Sequence, residues 1–194
     1  MKNNLEIILA STSPYRRELL SQLGIEFKVV APNYEEIWLN GESPYETVKR
    51  LSEGKAKSVL GMGHSGIIIG SDQVYVFDGK IGGKNRTIEE AREKLLAMRG
   101  KEQEFITGLC IINSYTNKII TDYESVIVKL SDFTEDELDS YLALNEAMDC
   151  AGSIKIEGRG IVFVDSLIGD YFTLRGLPMY KLIKILKNEG VNFF

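Results

Sequence analysis

The sequence contains few of the residues that build metal clusters or covalent catalytic sites. Among its 194 residues there are two cysteines and one histidine. Cys110 and Cys150 lie far apart and lack metal-ligand spacing, so we interpret both as reduced core thiols of a cytoplasmic protein. No apolar run approaches the roughly 20 residues that a membrane-spanning helix needs. The N-terminus also lacks the pattern of a signal peptide.

Positive charge is not in excess either. The 23 lysines and arginines are outnumbered by 28 acidic residues, which gives a formal net charge of -5 at pH 7. This balance disfavours a nucleic-acid-binding surface as the main role, and it is compatible with a small anionic ligand where basic residues cluster. The length predicts one domain over residues 1–194.

Alternating helical and strand-like patterns predict an α/β fold. Two long strands in the middle of the chain favour a mixed, twisted β-sheet flanked by helices over a fully parallel sheet. Capping boxes at Ser43 and Thr134 mark two helix starts. The predicted helices are 14–23, 44–60, 87–98, 134–142 and 177–188, and the predicted strands are 6–10, 26–30, 66–70, 73–77, 105–112, 118–130 and 161–164.

Two motif-like features do not fit the predicted helices and strands around them. The spacing G-x-G-x-x-G occurs at residues 61–66, but it follows a predicted helix and precedes a predicted strand, the reverse of a dinucleotide-binding turn. A Ser/His/Asp triad would depend on His64, which lies in that same turn and which we interpret as a surface residue. A thiol mechanism has no support around either cysteine.

The most informative stretch follows the apolar run at residues 6–10. Ser11 and Ser13 precede a proline suited to the first turn of a helix, and Arg16 and Arg17 come next. Free backbone N–H groups, the positive end of a helix dipole, hydroxyls and guanidinium groups together suit a ligand with several phosphates. A plain capped helix with solvated arginines explains the segment equally well.

Two charged residues stand in apolar surroundings. Lys55 is in line with Val48 and Val59 on the apolar stripe of its helix, where an unpaired ammonium is costly. Its side chain either snorkels to the edge or, as we favour, reaches a buried anion. Asp72 lies at the carboxyl end of a strand of three isoleucines, where it could bind a divalent metal, orient water or simply cap a turn.

Charged residues in predicted loops could complete such a site. Glu35 and Glu36 alone form a solvated acidic pair, but with Asp72 one of them would hold a hard cation such as Mg²⁺ or Mn²⁺. Lys84 follows two glycines and is either a phosphate partner or an ordinary hairpin lysine. Glu157 lies in a glycine-rich loop that allows close backbone approach, and its carboxylate could accept two N–H groups of a purine.

Five segments carry a resemblance to a known family. They are LASTSPYRRELL from Leu9, EGKAKS from Glu53, GSDQVYVFDGKIGGK from Gly70, CAGSIKIEGRGI from Cys150 and RGLPMYKL from Arg175. In this order and spacing they resemble the Maf family of nucleoside triphosphate pyrophosphatases over nearly the whole chain. Tyrosine before the paired arginines, glutamine after the aspartate and the late K-x-E-G segment are similar to the branch that acts on 7-methyl-GTP.

The resemblance implies a fold and a reaction. The fold would be of the Maf and inosine triphosphatase type, with an active-site cleft. Water would attack the α-phosphorus of a nucleoside triphosphate and release the monophosphate and pyrophosphate, so the enzyme would be a hydrolase acting on acid anhydrides that removes modified nucleotides from the pool. The implied proton acceptor is Asp72, with Glu36 and Lys84 as further catalytic residues. A divalent cation (Mg²⁺, Mn²⁺ or Co²⁺) would be held by Glu36 and Asp72.

The resemblance also implies the substrate contacts. The implied phosphate-binding residues are Ser11, Ser13, Arg16, Arg17, Lys55 and Lys84. Tyr15, Gln73 and Glu157 occupy the positions associated with base choice. Because 7-methylguanine is cationic, Tyr15 could stack on it, Glu157 could neutralise it, and Gln73 could offer a donor and an acceptor.

Two departures and two alternatives accompany the resemblance. Asn85 stands where the family usually has proline after the lysine, and residues 170–174 differ from the usual segment before Gly-Leu-Pro. Within the family, the alternative is a dTTP/UTP pyrophosphatase. Outside it, the alternative is a non-catalytic nucleotide-binding regulator of cell division. We expect a small nucleotide as partner, no nucleic acid and no membrane, and the family suggests a homodimer.

Overall fold

The computed structural model describes residues 5–82, 85, 87–145 and 151–194. These residues belong to two compact units. Unit 1 comprises the chain up to Gln73 together with Ile106–Glu124 and Asp170–Phe194, and unit 2 comprises Val74–Phe105 and Ser125–Gly169.

The order of elements confirms the predicted α/β class. The described strands are β1 (Ile7–Ala10), β2 (Lys28–Val30), β3 (Ile67–Phe77), β4 (Lys80–Gly82), β5 (Glu102–Asn113), β6 (Lys118–Leu130) and β7 (Val164–Ile168). The described α-helices are α1 (Pro14–Ser21), α2 (Pro44–Gly61), α3 (Ile88–Met98), α4 (Glu135–Leu142), α5 (Tyr171–Leu174) and α6 (Met179–Asn188). Among the described residues, none of these helices has the length and apolarity to cross a membrane.

The sheet is mixed, as predicted. Its strand order is β2-β1-β3-β5-β6-β7, and β4 pairs with β3 outside that path. β1 is parallel to β2 and to β3, whereas β4 is antiparallel to β3 and β7 is antiparallel to β6. Strands β3, β5 and β6 each contribute residues to both units.

Strand alternation in unit 1 divides the core between the two faces of the sheet. Ile7 and Leu9 of β1 belong to a cluster that includes buried leucines of α1 and α6. Ile8 and Ala10 point to the other face, into a cluster with Ala56 of α2. Unit 1 therefore has helices on both sides of its strands, which is the arrangement expected when nearly every strand residue is apolar.

Two glycines allow α2 to lie close to the sheet. A Cβ on Gly70 of β3 would come within 2.2 Å of the carbonyl oxygen of Ser52, and a Cβ on Gly108 of β5 would come within 2.2 Å of that of Val48. Both carbonyls belong to α2. The absence of side chains at these two strand positions thus sets the position of α2, and with it the position of Lys55.

Unit 2 is built around α3 and α4. Ala91, Leu95 and Met98 of α3 are buried, and Arg92 on its outer side bonds Glu135 and Asp139 of α4. A tight turn joins β3 to its antiparallel partner β4. Asp78 and Gly79 both have positive φ values of 48° and 70°, the combination required in the commonest two-residue hairpin turn.

Two strand predictions need correction. The runs at 66–70 and 73–77 are one continuous strand, β3. The predicted strand at 161–164 is wrong, because Arg159–Phe163 form a 3₁₀ helix and β7 begins only at Val164. In this apolar run Phe163 is buried against Phe133, whereas Val162 is 70% exposed, so the run lacks the alternation of a half-buried strand.

Candidate active site

The N-terminus of α1 is built by two serines. Ser13 is the N-cap, and its Oγ accepts a hydrogen bond of 3.4 Å from the backbone N–H of Arg16. The Oγ of the buried Ser11 accepts one of 3.1 Å from the N–H of Ser13. Tyr15 is half-buried and Arg17 is exposed in the first turn. The capped helix is confirmed, and its cap fixes the turn that carries both arginines.

Arg16 is held by a loop from the C-terminal part of the chain. Its Nε donates to the carbonyl oxygen of Gly176 at 2.8 Å, and the Oγ of the buried Ser71 donates to the same oxygen at 3.1 Å. Gly176 has a φ of 98°, a backbone conformation that favours glycine. One carbonyl thus joins α1, β3 and the segment RGLP.

Lys55 lies between two carboxylates. Its Nζ donates to Oδ1 of Asp72 and forms an ion pair of 2.5 Å with Oε1 of Glu36. The side chains of Lys55 and Asp72 are each only 7% exposed, whereas that of Glu36 is 56% exposed. The expectation that Lys55 reaches a buried anion is confirmed, and the loop carboxylate that shares its ammonium is Glu36.

The electrostatics of the pair reflect its burial. Removal from water raises the pKa of the Asp72 carboxyl above its ordinary value of 3.8, against the opposing influence of Lys55 and Arg16. Burial lowers the pKa of the Arg16 guanidinium below its ordinary value, and the negative charges of Asp72 and Glu36 counteract that shift. These four groups form one coupled cluster within unit 1.

Gln73 is fixed by unit 1 itself. Its Nε2 donates to the hydroxyl oxygen of Thr107 at 2.9 Å and to the carbonyl oxygens of Thr173 and Leu174, each at 3.0 Å. The amide nitrogen therefore faces protein acceptors, and these contacts use its donor capacity.

The remaining predicted site residues are Glu157 and Lys84. Glu157 belongs to unit 2 and is exposed in a turn that a hydrogen bond of 3.1 Å from the N–H of Gly158 to the carbonyl of Lys155 closes. Lys84 and Cys150 lie outside the described residues. Asn85, which replaces the usual proline, is buried and donates to the hydroxyl of Ser153.

Sequence reasoning missed Ser71 and Gly176 as partners of Arg16. Ser71 is adjacent to Asp72, but successive strand residues point to opposite faces, so its contact with the RGLP segment depends on tertiary structure. Gly176 carried one signal, since a glycine beside Leu-Pro favours a special backbone conformation.

A family model described as Maf-like protein matches residues 6–189. The chain belongs to the Maf family. The match covers every residue of the cluster just described, and the order of the five segments predicted it. A solved structure, the Staphylococcus aureus Ham1 protein, has a TM-score of 0.53 at 15% identity and covers 95% of this chain and 99% of its own, which shows a shared fold.

Curated relatives match along nearly their full length. A 7-methyl-GTP pyrophosphatase of Syntrophotalea carbinolica is 43% identical over 187 residues, 95% of either chain. One of Pseudomonas putida is 40% identical over 188 residues, 96% of this chain and 98% of its own. A dTTP/UTP pyrophosphatase of Dictyoglomus thermophilum is 40% identical over 187 residues, 95% of this chain and 96% of its own.

Proposed function

We propose that this Maf-family chain is a nucleoside triphosphate pyrophosphatase that hydrolyses 7-methyl-GTP to 7-methyl-GMP and pyrophosphate. Five relatives named 7-methyl-GTP pyrophosphatase are 40 to 43% identical over almost the whole chain. One structural observation supports the reaction type: the carboxylates of Asp72 and Glu36 converge on the ammonium of Lys55. The guanidinium of Arg16 interacts electrostatically with the same two carboxylates.

The two carboxylates fit a divalent cation. Their oxygens converge on one positive charge. Among the described residues no group of three or more His, Cys, Asp or Glu side chains could hold a metal, so the protein would supply only these two ligands. One or two carboxylates, with substrate phosphates and water completing the shell, is the pattern that Mg²⁺ favours. When bound by Glu36 and Asp72, such a cation would supply positive charge to the phosphate oxygens and make a water more acidic.

The chemistry assigned to the chain is a displacement at phosphorus. A water oxygen forms a bond to the α-phosphorus, the bond from that phosphorus to the α–β bridging oxygen breaks, and the proton of water passes to the Asp72 carboxylate. Arg16 and Lys55 neutralise negative charge on the phosphates. Further phosphate contacts come from Ser11, Ser13 and Arg17, which lie with Arg16 at the N-terminus of α1. Lys84 is proposed to add a further positive charge.

Base selection is proposed for three residues. Tyr15, beside Arg16 in the first turn of α1, would stack on the cationic 7-methylguanine ring. Because its amide nitrogen is engaged with Thr173 and Leu174, Gln73 would recognise the base through its carbonyl oxygen. Glu157 would accept from N–H groups of the purine and neutralise its charge, which gives stronger discrimination than an apolar pocket.

A panel of nucleotides tests the proposal. Pyrophosphate release should be measured from 7-methyl-GTP, GTP, dTTP and UTP, with Mg²⁺ or Mn²⁺ and again with EDTA. We expect the highest kcat/KM with 7-methyl-GTP and no turnover with EDTA. Equal or faster turnover of dTTP would favour the second candidate, a dTTP/UTP pyrophosphatase, which the Dictyoglomus thermophilum relative supports. Tight binding of a triphosphate without turnover in the presence of metal would instead favour a nucleotide-binding regulator.

We also propose that the enzyme acts in the cytoplasm, on a nucleotide substrate, and that it forms a homodimer. Light scattering on the purified protein tests the dimer, which would give twice the monomer mass of 21.8 kDa.

A further inference from the structure

Glu36 lies in a segment that has almost no regular structure. Residues 31–43, between β2 and α2, contain neither helix nor strand. The Glu36 side chain is 56% exposed and forms an ion pair with Lys55. An exposed carboxylate on an irregular segment has considerable conformational freedom, so its position beside Lys55 requires contacts elsewhere in the segment.

Arg50 of α2 provides such contacts. Its Nε donates to Oε1 of Glu42 at 2.7 Å, and its Nη2 donates to Oε2 of Glu42 at 2.6 Å. The same Nη2 donates to the carbonyl oxygen of Ile37 at 2.8 Å. This two-point geometry, which a lysine cannot reproduce, fixes both the distance and the orientation of the partner.

Glu42 is held firmly in its turn. Its Oε2 also accepts a hydrogen bond of 2.9 Å from the hydroxyl of Thr47, and its side chain is 13% exposed. The hydrogen bonding that Arg50 donates to Glu42 is the largest influence on both groups: it lowers the pKa of Glu42 and raises the pKa of Arg50. The pair therefore stays ionised and bonded at neutral pH.

A second anchor lies on the other side of Glu36. The ring of Tyr34 rests on Gly54 of α2, where a Cβ would come within 2.2 Å of the ring. Glu36 thus lies between Tyr34, two residues earlier, and Ile37, one residue later, and both are fastened to α2. Because Lys55 belongs to the same helix, these anchors fix Glu36 relative to Lys55.

We propose that Arg50 is a positioning residue of the active site: by fastening Ile37 and Glu42 to α2, it holds the Glu36 carboxylate beside Lys55 and Asp72, where a divalent cation can be shared. Arg50 binds Glu42 and the carbonyl of Ile37 rather than the carboxylates of that site, so it acts through the segment. This inference rests on the proposed function for its effect on catalysis, but its structural effect can be measured independently.

The chain contains its own reporter. Trp38 is the sole tryptophan, it is 48% exposed, and it follows Ile37 directly. Fluorescence anisotropy of Trp38 therefore reports the mobility of the segment without any need for turnover. The test compares Arg50→Gln, Arg50→Lys and Glu42→Gln with wild type. Arg92→Gln is the matched control, because Arg92 also bonds two carboxylates, those of Glu135 and Asp139 in unit 2.

In Arg50→Gln we expect lower Trp38 anisotropy and weaker Mn²⁺ binding by calorimetry, measured with a non-hydrolysable triphosphate analogue. The Mn²⁺ concentration at half-maximal activity should rise about tenfold or more, while kcat at saturating Mn²⁺ changes little. Arg50→Lys should recover part of each effect, and Arg92→Gln should match wild type. If Arg50→Gln does not fold, Glu42→Gln carries the test, since it leaves the bond to Ile37 in place.

Wild-type anisotropy and Mn²⁺ affinity in folded Arg50→Gln or Glu42→Gln would overturn the inference. So would an equal loss in Arg92→Gln, because the effect would then be a general loss of stability. Failure of the proposed function looks different: 7-methyl-GTP would not be hydrolysed by wild type, while the anisotropy and Mn²⁺-binding differences between variants would persist.

Discussion

Lys55 of α2 donates to Asp72 of β3, and both side chains are 7% exposed. A buried ion pair is a weak source of stability, because desolvation of the two charges offsets much of their attraction. In the proposed mechanism both charges have a role, because the carboxylate would accept a proton from water and the ammonium would meet phosphate oxygens. Glu36 shares the same ammonium from the exposed side.

Asp72→Asn should reduce kcat for 7-methyl-GTP by about a thousandfold, because an amide cannot accept the proton of the attacking water. The variant should keep its fold, since Lys55 retains its ion pair with Glu36. Steady-state kinetics and circular dichroism check both statements. Asp122→Asn is the control, because Asp122 pairs with Lys181 at a more exposed position. Wild-type turnover in folded Asp72→Asn would remove Asp72 from the mechanism.

Gly108→Ala should displace α2, because the new Cβ would meet the carbonyl oxygen of Val48. We expect a loss of about 1 to 3 kcal/mol in the free energy of unfolding, together with reduced activity as Lys55 moves away from Asp72. Urea denaturation and kinetics measure the two effects. Gly61→Ala is the control: it has nothing within 4 Å, and in a helix alanine is favoured by up to about 1 kcal/mol. An inactive Gly61→Ala would contradict this explanation.

Stability should depend on pH through Glu42. The hydrogen bond from Arg50 lowers the pKa of folded Glu42 below its ordinary 4.5, so its contribution is present above pH 4.5 and is lost as the pH falls through the folded pKa. Glu42→Gln should cost about 1 kcal/mol at pH 7 and progressively less below pH 4.5. Urea denaturation across pH measures this. In an Arg50→Gln background the same change should have little pH dependence, and an unchanged dependence there would exclude Arg50 as its cause.

Cys110 should be chemically inert in the folded protein. Burial raises the pKa of its thiol to about 11, so about one thiol in a thousand is ionised at pH 8, and only the thiolate reacts readily. Iodoacetamide labelling followed by peptide mass spectrometry should show slow modification of Cys110 in native protein. The same peptide should react rapidly in urea. Equal rates in the two conditions would show that the thiol is not protected.

Local signals in the sequence predicted the framework of the site. The capping boxes at Ser43 and Thr134 are present as predicted, and the burial of Lys55 followed from its place on the apolar stripe of a helix. The position of Asp72 at the end of an apolar strand indicated that it could belong to the site. These features depend on residues within a few positions of one another, so periodicity and capping patterns reveal them.

Other features depend on tertiary structure and left no local signal. Arg50 has the sequence context of a solvated arginine, and its role emerges only because residues 31–43 lie against α2. The division into units falls within β3, β5 and β6, where no change of composition marks it. The strand prediction at 161–164 is wrong because a local pattern does not specify which side chains of an apolar run will be buried.

Analysis of the reaction products shows directly whether water attacks the α-phosphorus of 7-methyl-GTP. Wild-type protein should be incubated with 7-methyl-GTP and Mg²⁺ in ¹⁸O-labelled water, and the products should be separated and weighed by mass spectrometry. We expect equal amounts of 7-methyl-GMP and pyrophosphate, with the label on the monophosphate, and far slower formation of both products by Asp72→Asn. Release of inorganic phosphate and a diphosphate, or label on pyrophosphate, would contradict attack at the α-phosphorus.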